Sequence, residues 1–121
     1  MEKQSPIFSK LYDFILWLLQ HTDGFPKNER FRLAARLENQ AFALYEQLAR
    51  SARSKHPAEL LEQADQMLGM LRFYIRLCHD RQLITHDQYQ YAASNLVEVG
   101  KLLGGWQKSV LTRTSAPDKG A

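Results

Sequence analysis

Residues 57–81, PAELLEQADQMLGMLRFYIRLCHDR, decide the fold class of this chain. Their apolar side chains recur at intervals of three and four, which is the spacing that brings side chains to one side of an α-helix. Pro57 suits the first turn of a helix, and Glu59 and Glu62 place negative charge near its N-terminal end, where the helix dipole favours it. We therefore predict a helix from Pro57 to Arg81.

Three further segments carry the same period, and most of them are separated by glycine or proline. They predict helices over 6–21, 28–52 and 85–111. Ser5 is the predicted N-cap of the first of these helices, and Asn28 is the predicted N-cap of the second. Thr85 and Gln88 have the spacing of a capping box at the start of the last helix.

The length and composition are those of one globular domain. The chain has 121 residues, of which 45% are hydrophobic and 24% are charged. Short connections leave consecutive helices as neighbours, so the pattern predicts an all-α, antiparallel, up-down-up-down four-helix bundle. We expect this domain to occupy residues 1–113 and to be followed by a disordered tail at 114–121.

The cysteine count and the apolar runs exclude several classes of protein. Cys78 is the single cysteine, so no disulfide forms within the chain, and we predict a cytoplasmic protein. The longest apolar run, 14–19, is far shorter than the roughly 20 residues needed to cross a bilayer, so we predict no membrane partner. We also predict no metal site, no cofactor and no catalytic residue, since no nucleophile lies beside a base and no zinc-ligand spacing occurs.

The predicted third helix carries more apolar surface than a bundle needs. Its second half is apolar over more than half of the circumference, whereas a stripe of about 100° suffices to face a core. The same surplus, in a weaker form, lies off the core arc of the fourth helix. We predict that a contact between subunits buries the surplus residues, and the alternative is that the first helix covers them. The predicted interface residues are Met70, Phe73, Leu77, Tyr91 and Leu102.

The basic residues of these two helices are spaced to follow phosphate groups. The chain has a formal charge of +3, Arg72 and Arg76 lie one helical turn apart, and Lys101 and Lys108 lie two turns apart. Arg30 adds positive charge at one end of the bundle. We predict that these five side chains contact nucleic acid, and the alternative is that they are ordinary solvated surface charges.

Two arginine–histidine pairs suggest a different function. Arg81 with His86, and Arg50 with His56, fit the loose spacing of the ribonuclease motif in HEPN-type helical domains. The residue after the arginine departs from that motif in both pairs. A HEPN-type ribonuclease is therefore only a less favoured alternative function. The competing interpretation is that His56 and His86 have structural roles in a loop or a helix cap.

Two runs resemble a known family, namely LRFYIRL at 71–77 and VEVGKLLGGW at 97–106. They are similar to the third and fourth helices of Avd proteins, the accessory variability determinants of diversity-generating retroelements. Upstream, FPKNERFRL at 25–33 resembles the opening of the related four-helix proteins encoded in ribosomal-RNA intervening sequences. The resemblance covers roughly residues 10 to 110.

The resemblance to Avd implies a homopentameric, barrel-like assembly whose basic surface binds nucleic acid and a reverse transcriptase. It implies no chemistry by the Avd subunit itself. Arg72, Arg76 and Lys101 match the family's basic positions, and Arg30 matches one in the intervening-sequence relatives. An intervening-sequence-type protein that acts as an RNA-binding or protein-interaction scaffold is the alternative that this resemblance leaves open.

Overall fold

The computed structural model describes residues 6–115, and 87% of these residues are helical, with no strand among them. The helices are α1 (Ile7–Thr22), α2 (27–53), α3 (Ala58–Asp80) and α4 (His86–Ser115). The predicted all-α four-helix fold is confirmed, with helix ends within a few residues of those predicted. The predicted N-cap Ser5 and residues 116–121 of the predicted tail lie outside the described residues, whereas α4 continues through 114 and 115.

The contacts between neighbouring helices pair their residues in opposite chain order. The Gln40 side-chain amide donates a hydrogen bond from α2 to the carbonyl of Met67 on α3 at 2.9 Å, and Gln47 donates to the carbonyl of Leu60 at 2.9 Å. Residue numbers therefore rise along α2 as they fall along α3. The ring contacts between α1 and α4 follow the same opposite order, as an antiparallel bundle requires.

The core is a layer of apolar side chains, most of them aliphatic, between the four helices. Its largest fully buried members include Phe14, Leu18, Leu44, Leu48, Leu68, Leu71, Ile75 and Leu96. Each such side chain contributes about 1.5–3 kcal/mol when it is removed from water, so this layer is the main stabilising contribution. It leaves the polar flanks of the helices free to carry a functional surface.

A π-helical segment interrupts α2 near its start, which the sequence analysis did not predict. The helix consists of Lys27–Glu29, the π-helical segment Arg30–Ala34, and Ala35–Arg53. The wider π turn shifts the angular position of the residues that follow it. As a result the consecutive residues Leu33 and Ala34 are both buried, whereas Phe31 is 81% exposed.

Two local motifs form the connection between α3 and α4. The predicted capping box is confirmed, because the backbone N–H of Thr85 donates to Gln88 Oε1 at 2.9 Å and the N–H of Gln88 donates to Thr85 Oγ1 at 3.0 Å. At the end of α3, Gln82 adopts a left-handed conformation with φ of 63°. The N–H of Leu83 donates to the carbonyl of Cys78 at 2.9 Å, which is the closing bond of a Schellman motif.

Candidate nucleic-acid interface

Arg72 and Arg76 lie on the side of α3 that adjoins α4, and both are exposed. A Cβ atom at Gly100 of α4 would meet the guanidinium of Arg72, so the glycine leaves room for this side chain to lie across α4. Arg76 Nε is 3.6 Å from Asp80 Oδ2, and the Arg76 side chain is 74% exposed. Both arginines are therefore accessible at the boundary between the two helices.

The lysines of α4 extend this positive surface. Lys101 directly follows Gly100, and its Nζ is 3.9 Å from Glu98 Oε2. Lys108 is also exposed, two turns and about 10 Å further along the helix. Exposed ion pairs of this length contribute little to stability, so they leave the cations available to phosphate groups. We call the exposed surface formed by Arg72, Arg76, Lys101 and Lys108 the basic face.

Arg30 is not part of the basic face. Its Nε donates a hydrogen bond to the carbonyl of Phe25 at 3.4 Å, and its Nη2 donates to the carbonyl of Asp23 at 3.2 Å. Arg30 therefore closes the turn between α1 and α2. Its side chain is still exposed, so a contact with nucleic acid stays a prediction.

A charge cluster that the sequence pattern does not predict lies at the π-helical segment, around the buried carboxylate of Glu29. Glu29 is only 3% exposed, and its Oε2 accepts hydrogen bonds from Arg81 Nη2 at 2.7 Å, Arg81 Nε at 3.1 Å and Arg32 Nη2 at 3.0 Å. The Arg81 guanidinium beside Glu29 holds the pKa of that carboxyl below its ordinary value; Arg32 acts in the same direction, and burial opposes them. The cluster thus joins the start of α2 to the end of α3.

A groove of about 250 Å³ opens beside this cluster, lined in addition by Leu33, Arg36, Tyr74 and Leu77. The neighbouring thiol of Cys78 is fully buried, and burial, with a further effect of the Glu29 charge, raises its pKa to about 12. The thiol therefore stays protonated at neutral pH and is a poor nucleophile. The signal that could have indicated the cluster is the single acid between basic residues in the FPKNERFR run.

Comparison with known proteins identifies the family. A family model described as bAvd-like matches residues 6–110, which is most of the chain. This chain belongs to the bAvd-like family. The family assignment confirms the predicted resemblance to Avd, the accessory protein type of diversity-generating retroelements. No curated protein matches the chain.

The histidines of this bAvd-like chain do not pair with the arginines that the ribonuclease alternative requires. Arg81 is directed to Glu29, whereas His86 Nδ1 lies 3.3 Å from His79 Nε2. Arg50 Nη2 donates to Gln47 Oε1 at 2.7 Å. Among the described contacts, none joins either arginine to the histidine with which it was matched.

The five predicted interface residues of the bAvd-like chain divide between two surfaces. Met70 and Phe73 on the outer side of α3 are 44% and 54% exposed, so α1 does not cover these two residues. Leu77 is half-buried and lines the groove beside Glu29. Tyr91 and Leu102 lie elsewhere, on the side of α4 that faces α1, where Leu102 packs on the core and Tyr91 lies 5.5 Å from the Trp17 ring.

The described residues form neither a metal-binding cluster nor a membrane-spanning helix. Within residues 6–115, no group of three or more histidine, cysteine, aspartate or glutamate side chains is placed to hold a metal ion. None of the four helices over the same residues has the length and the apolar content to span a bilayer.

Proposed function

We propose that this bAvd-like protein is a non-enzymatic accessory factor of a diversity-generating retroelement. In this role it binds nucleic acid and the element's reverse transcriptase in the cytoplasm, as a homopentamer. The observation that carries the proposal is the basic face, which places four exposed cations on adjoining sides of α3 and α4 in a chain of this family.

The basic face suits the backbone of a nucleic acid. Its two ion pairs are long and exposed, so phosphate groups can replace the carboxylates at little cost. Arginine and lysine contacts to phosphate position a protein on nucleic acid without reading the bases. We therefore expect slight base discrimination and an affinity that falls steeply as the salt concentration rises, because the counterions that binding releases then gain less entropy.

A homopentamer strengthens this binding. One subunit carries a formal charge of only +3, whereas a closed ring repeats the basic face around its symmetry axis. The exposed apolar side chains of Met70 and Phe73 supply a surface for assembly. Tyr91 and Leu102 are kept as predicted contributors, although they lie on another side of the subunit.

The family assignment supports a reverse transcriptase as the partner. Genomic context separates this role from that of an intervening-sequence-type scaffold. We expect a reverse-transcriptase gene and a template–variable repeat pair beside the gene for this protein. Co-purification of the two proteins when they are expressed together is the direct test, and its absence argues for the scaffold.

The double substitution Arg72→Ala/Arg76→Ala tests nucleic-acid binding. We expect it to weaken binding of retroelement RNA or DNA about tenfold or more, since charged hydrogen bonds to phosphate are lost. The slope of log affinity against log salt should also become shallower, by about one for each lost phosphate contact. Gel shifts over a salt series measure both quantities.

A matched control removes two cations away from the basic face. Arg53→Ala/Lys55→Ala lowers the net charge equally, at exposed positions around the end of α2. If this control weakens binding as much as the double substitution in α3, or if the wild-type protein binds no nucleic acid at low salt, the proposed interface is wrong. Sedimentation must show that each variant keeps the wild-type assembly.

The ribonuclease alternative predicts a different result. A ribonuclease that uses His86 would cleave RNA, and His86→Ala would abolish cleavage without affecting binding. We expect purified wild-type protein to leave labelled RNA intact. Cleavage that His86→Ala abolishes would show that the protein is an enzyme.

A further inference from the structure

A second exposed apolar surface, besides that of Met70 and Phe73 on α3, lies on α1 and α2. Tyr12 and Leu16 of α1 are 58% and 48% exposed, and Phe42 of α2 is 40% exposed. The rings of Phe8 and Tyr45 are 5.5 Å apart, which fixes the register of the two antiparallel helices at this level. Tyr12 and Leu16 follow Phe8 at one-turn intervals, and Phe42 lies one turn before Tyr45. The three exposed side chains therefore lie side by side, and we call them the α1–α2 patch.

Acidic side chains surround the α1–α2 patch. Asp13 is exposed directly beside Tyr12 in the sequence, and Glu46 is exposed one turn after Phe42. Glu38 lies one turn before Phe42, where its carboxylate accepts a hydrogen bond from the Thr22 hydroxyl. This bond joins α2 to the C-terminal end of α1.

Basic side chains surround the exposed apolar surface of α3. This α3 patch consists of Met70 and Phe73. Arg76 lies one turn after Phe73 and is 74% exposed. On the other side, Arg36 of α2 lines the groove with Leu77, which lies one turn from Phe73. Asp80 pairs with Arg76 and is 55% exposed, so the rim of the α3 patch carries a net positive charge through Arg36, whereas the rim of the α1–α2 patch carries a net negative charge.

We propose that the α1–α2 patch of one subunit packs against the α3 patch of the next subunit, so that the chain assembles head to tail. This inference rests on the proposed homo-oligomer and names its two contacting surfaces. The patches lie on different helices and differ in charge, so a two-fold contact would bring like charges together, whereas a heterologous contact pairs acid with base. A heterologous contact repeated by a closing rotation gives a ring.

The head-to-tail contact leaves most of the basic face open. Lys101 and Lys108 lie on α4, which takes part in neither patch, and Arg72 is directed across α4 at Gly100. Arg76 lies at the border between the contact and the basic face. Each subunit of the ring therefore presents Arg72, Lys101 and Lys108 to solvent.

Two single substitutions test the pairing, because each blocks one of the two patches. Phe73→Glu puts a charge into the α3 patch and leaves the α1–α2 patch intact, whereas Phe42→Glu does the reverse. We expect each variant alone to be a monomer at micromolar concentration, where the wild type is a ring. An equimolar mixture should form a one-to-one dimer and nothing larger, since only one intact pairing remains.

Sedimentation velocity and native mass spectrometry distinguish the outcomes. A ring that persists in Phe42→Glu, or a mixture that stays monomeric, overturns the head-to-tail pairing while the proposed oligomer stands. A wild-type protein that is itself monomeric overturns the proposed oligomer and the pairing together. Dimers formed by either variant alone would show a two-fold contact and would also overturn the inference.

Two further variants guard against misfolding. Val97→Glu is the matched control, since Val97 is 47% exposed on α4 outside both patches, and it should keep the ring. If circular dichroism shows that Phe42→Glu is unfolded, Leu16→Glu blocks the same patch from α1 and replaces it in the mixture. Loss of the ring in Val97→Glu would show that both patches were assigned wrongly.

Discussion

The substitution Phe73→Glu is expected to weaken binding of the retroelement nucleic acid by about 10²- to 10⁴-fold. In our proposal Phe73 contacts a neighbouring subunit, and the glutamate places an unpaired charge in that contact, which dissociates the assembly. A free subunit then engages the nucleic acid through a single basic face. The effect exceeds that of removing Arg72 and Arg76, because multivalent attachment multiplies the contributions of all the faces that reach the same strand.

Fluorescence anisotropy at a fixed low salt concentration measures this loss. The nucleic acid must be long enough to reach several subunits, and a short oligonucleotide that covers one basic face is the internal control. We expect Phe73→Glu to bind the short oligonucleotide as the wild type does, since its cations are unchanged. Equal loss for short and long nucleic acid would contradict the role of assembly, and no loss for either would place Phe73 outside the contact.

The substitution Glu29→Gln is expected to cause a large loss of stability at neutral pH. Glu29 is buried, and its carboxylate accepts hydrogen bonds from Arg81 and Arg32. A glutamine at this position replaces charge-assisted hydrogen bonds, which are about twice as strong as neutral ones, by neutral hydrogen bonds at a buried site. Arg81 and Arg32 themselves are 52% and 61% exposed, so the loss comes from the weakened link and not from a buried cation. The start of α2 should separate from the end of α3 before the rest of the bundle unfolds.

The loss of stability caused by Glu29→Gln should depend on pH, in a direction that follows from the pKa of Glu29. Arg81 and then Arg32 lower the pKa of Glu29 in the folded protein below its ordinary value of 4.5. A lowered folded-state pKa means that the stabilisation is fully present above the unfolded-state pKa and is lost as the pH falls through the folded-state pKa. The wild type and Glu29→Gln should therefore differ most at neutral pH, and their stabilities should converge in acid.

Urea unfolding followed by circular dichroism from neutral to acidic pH tests both statements. Glu98→Gln is the matched control, because Glu98 is an exposed glutamate outside both patches and its ion pair with Lys101 is long. We expect it to leave the free energy of unfolding nearly unchanged across the series. A Glu29→Gln variant as stable as Glu98→Gln at neutral pH would show that the hydrogen bonds to Glu29 do not hold α2 to α3.

Local features of the fold could be predicted because their signals lie within a few residues of one another. The capping box depends on Thr85 and Gln88, which are three residues apart, and the helices depend on intervals of three and four. The π-helical segment was not predicted, because no such local signal marks it. The local apolar period continues through Arg30–Ala34 unbroken, so the residue spacing does not distinguish this segment from an α-helix.

The candidate site was predicted only in part. The spacing of Arg72 and Arg76 placed them on one side of α3, which the structure bears out, whereas nothing in the spacing showed that Gly100 would admit the Arg72 side chain. The sequence predicts Tyr91 and Phe73 as residues of one subunit interface, because each lies outside the core-facing side of its helix. The structure places them on different sides of the subunit, since the apolar pattern of one helix does not specify which other helix packs beside it.

The sequence by itself determined the four helices, the capping box of α4 and the apolar stripes that form the core, because each depends on the spacing of residues within a single segment. The predicted N-cap Asn28 was wrong, since the helix begins at Lys27 and Asn28 lies inside it. The tertiary structure alone decided which charges are buried and which apolar residues stay exposed. Glu29 and Arg81 are separated by 52 residues along the chain and meet only when α2 packs on α3. Phe42 repeats with the helical period and is nevertheless exposed, because the antiparallel packing of α1 and α2 leaves its edge of the helix in solvent.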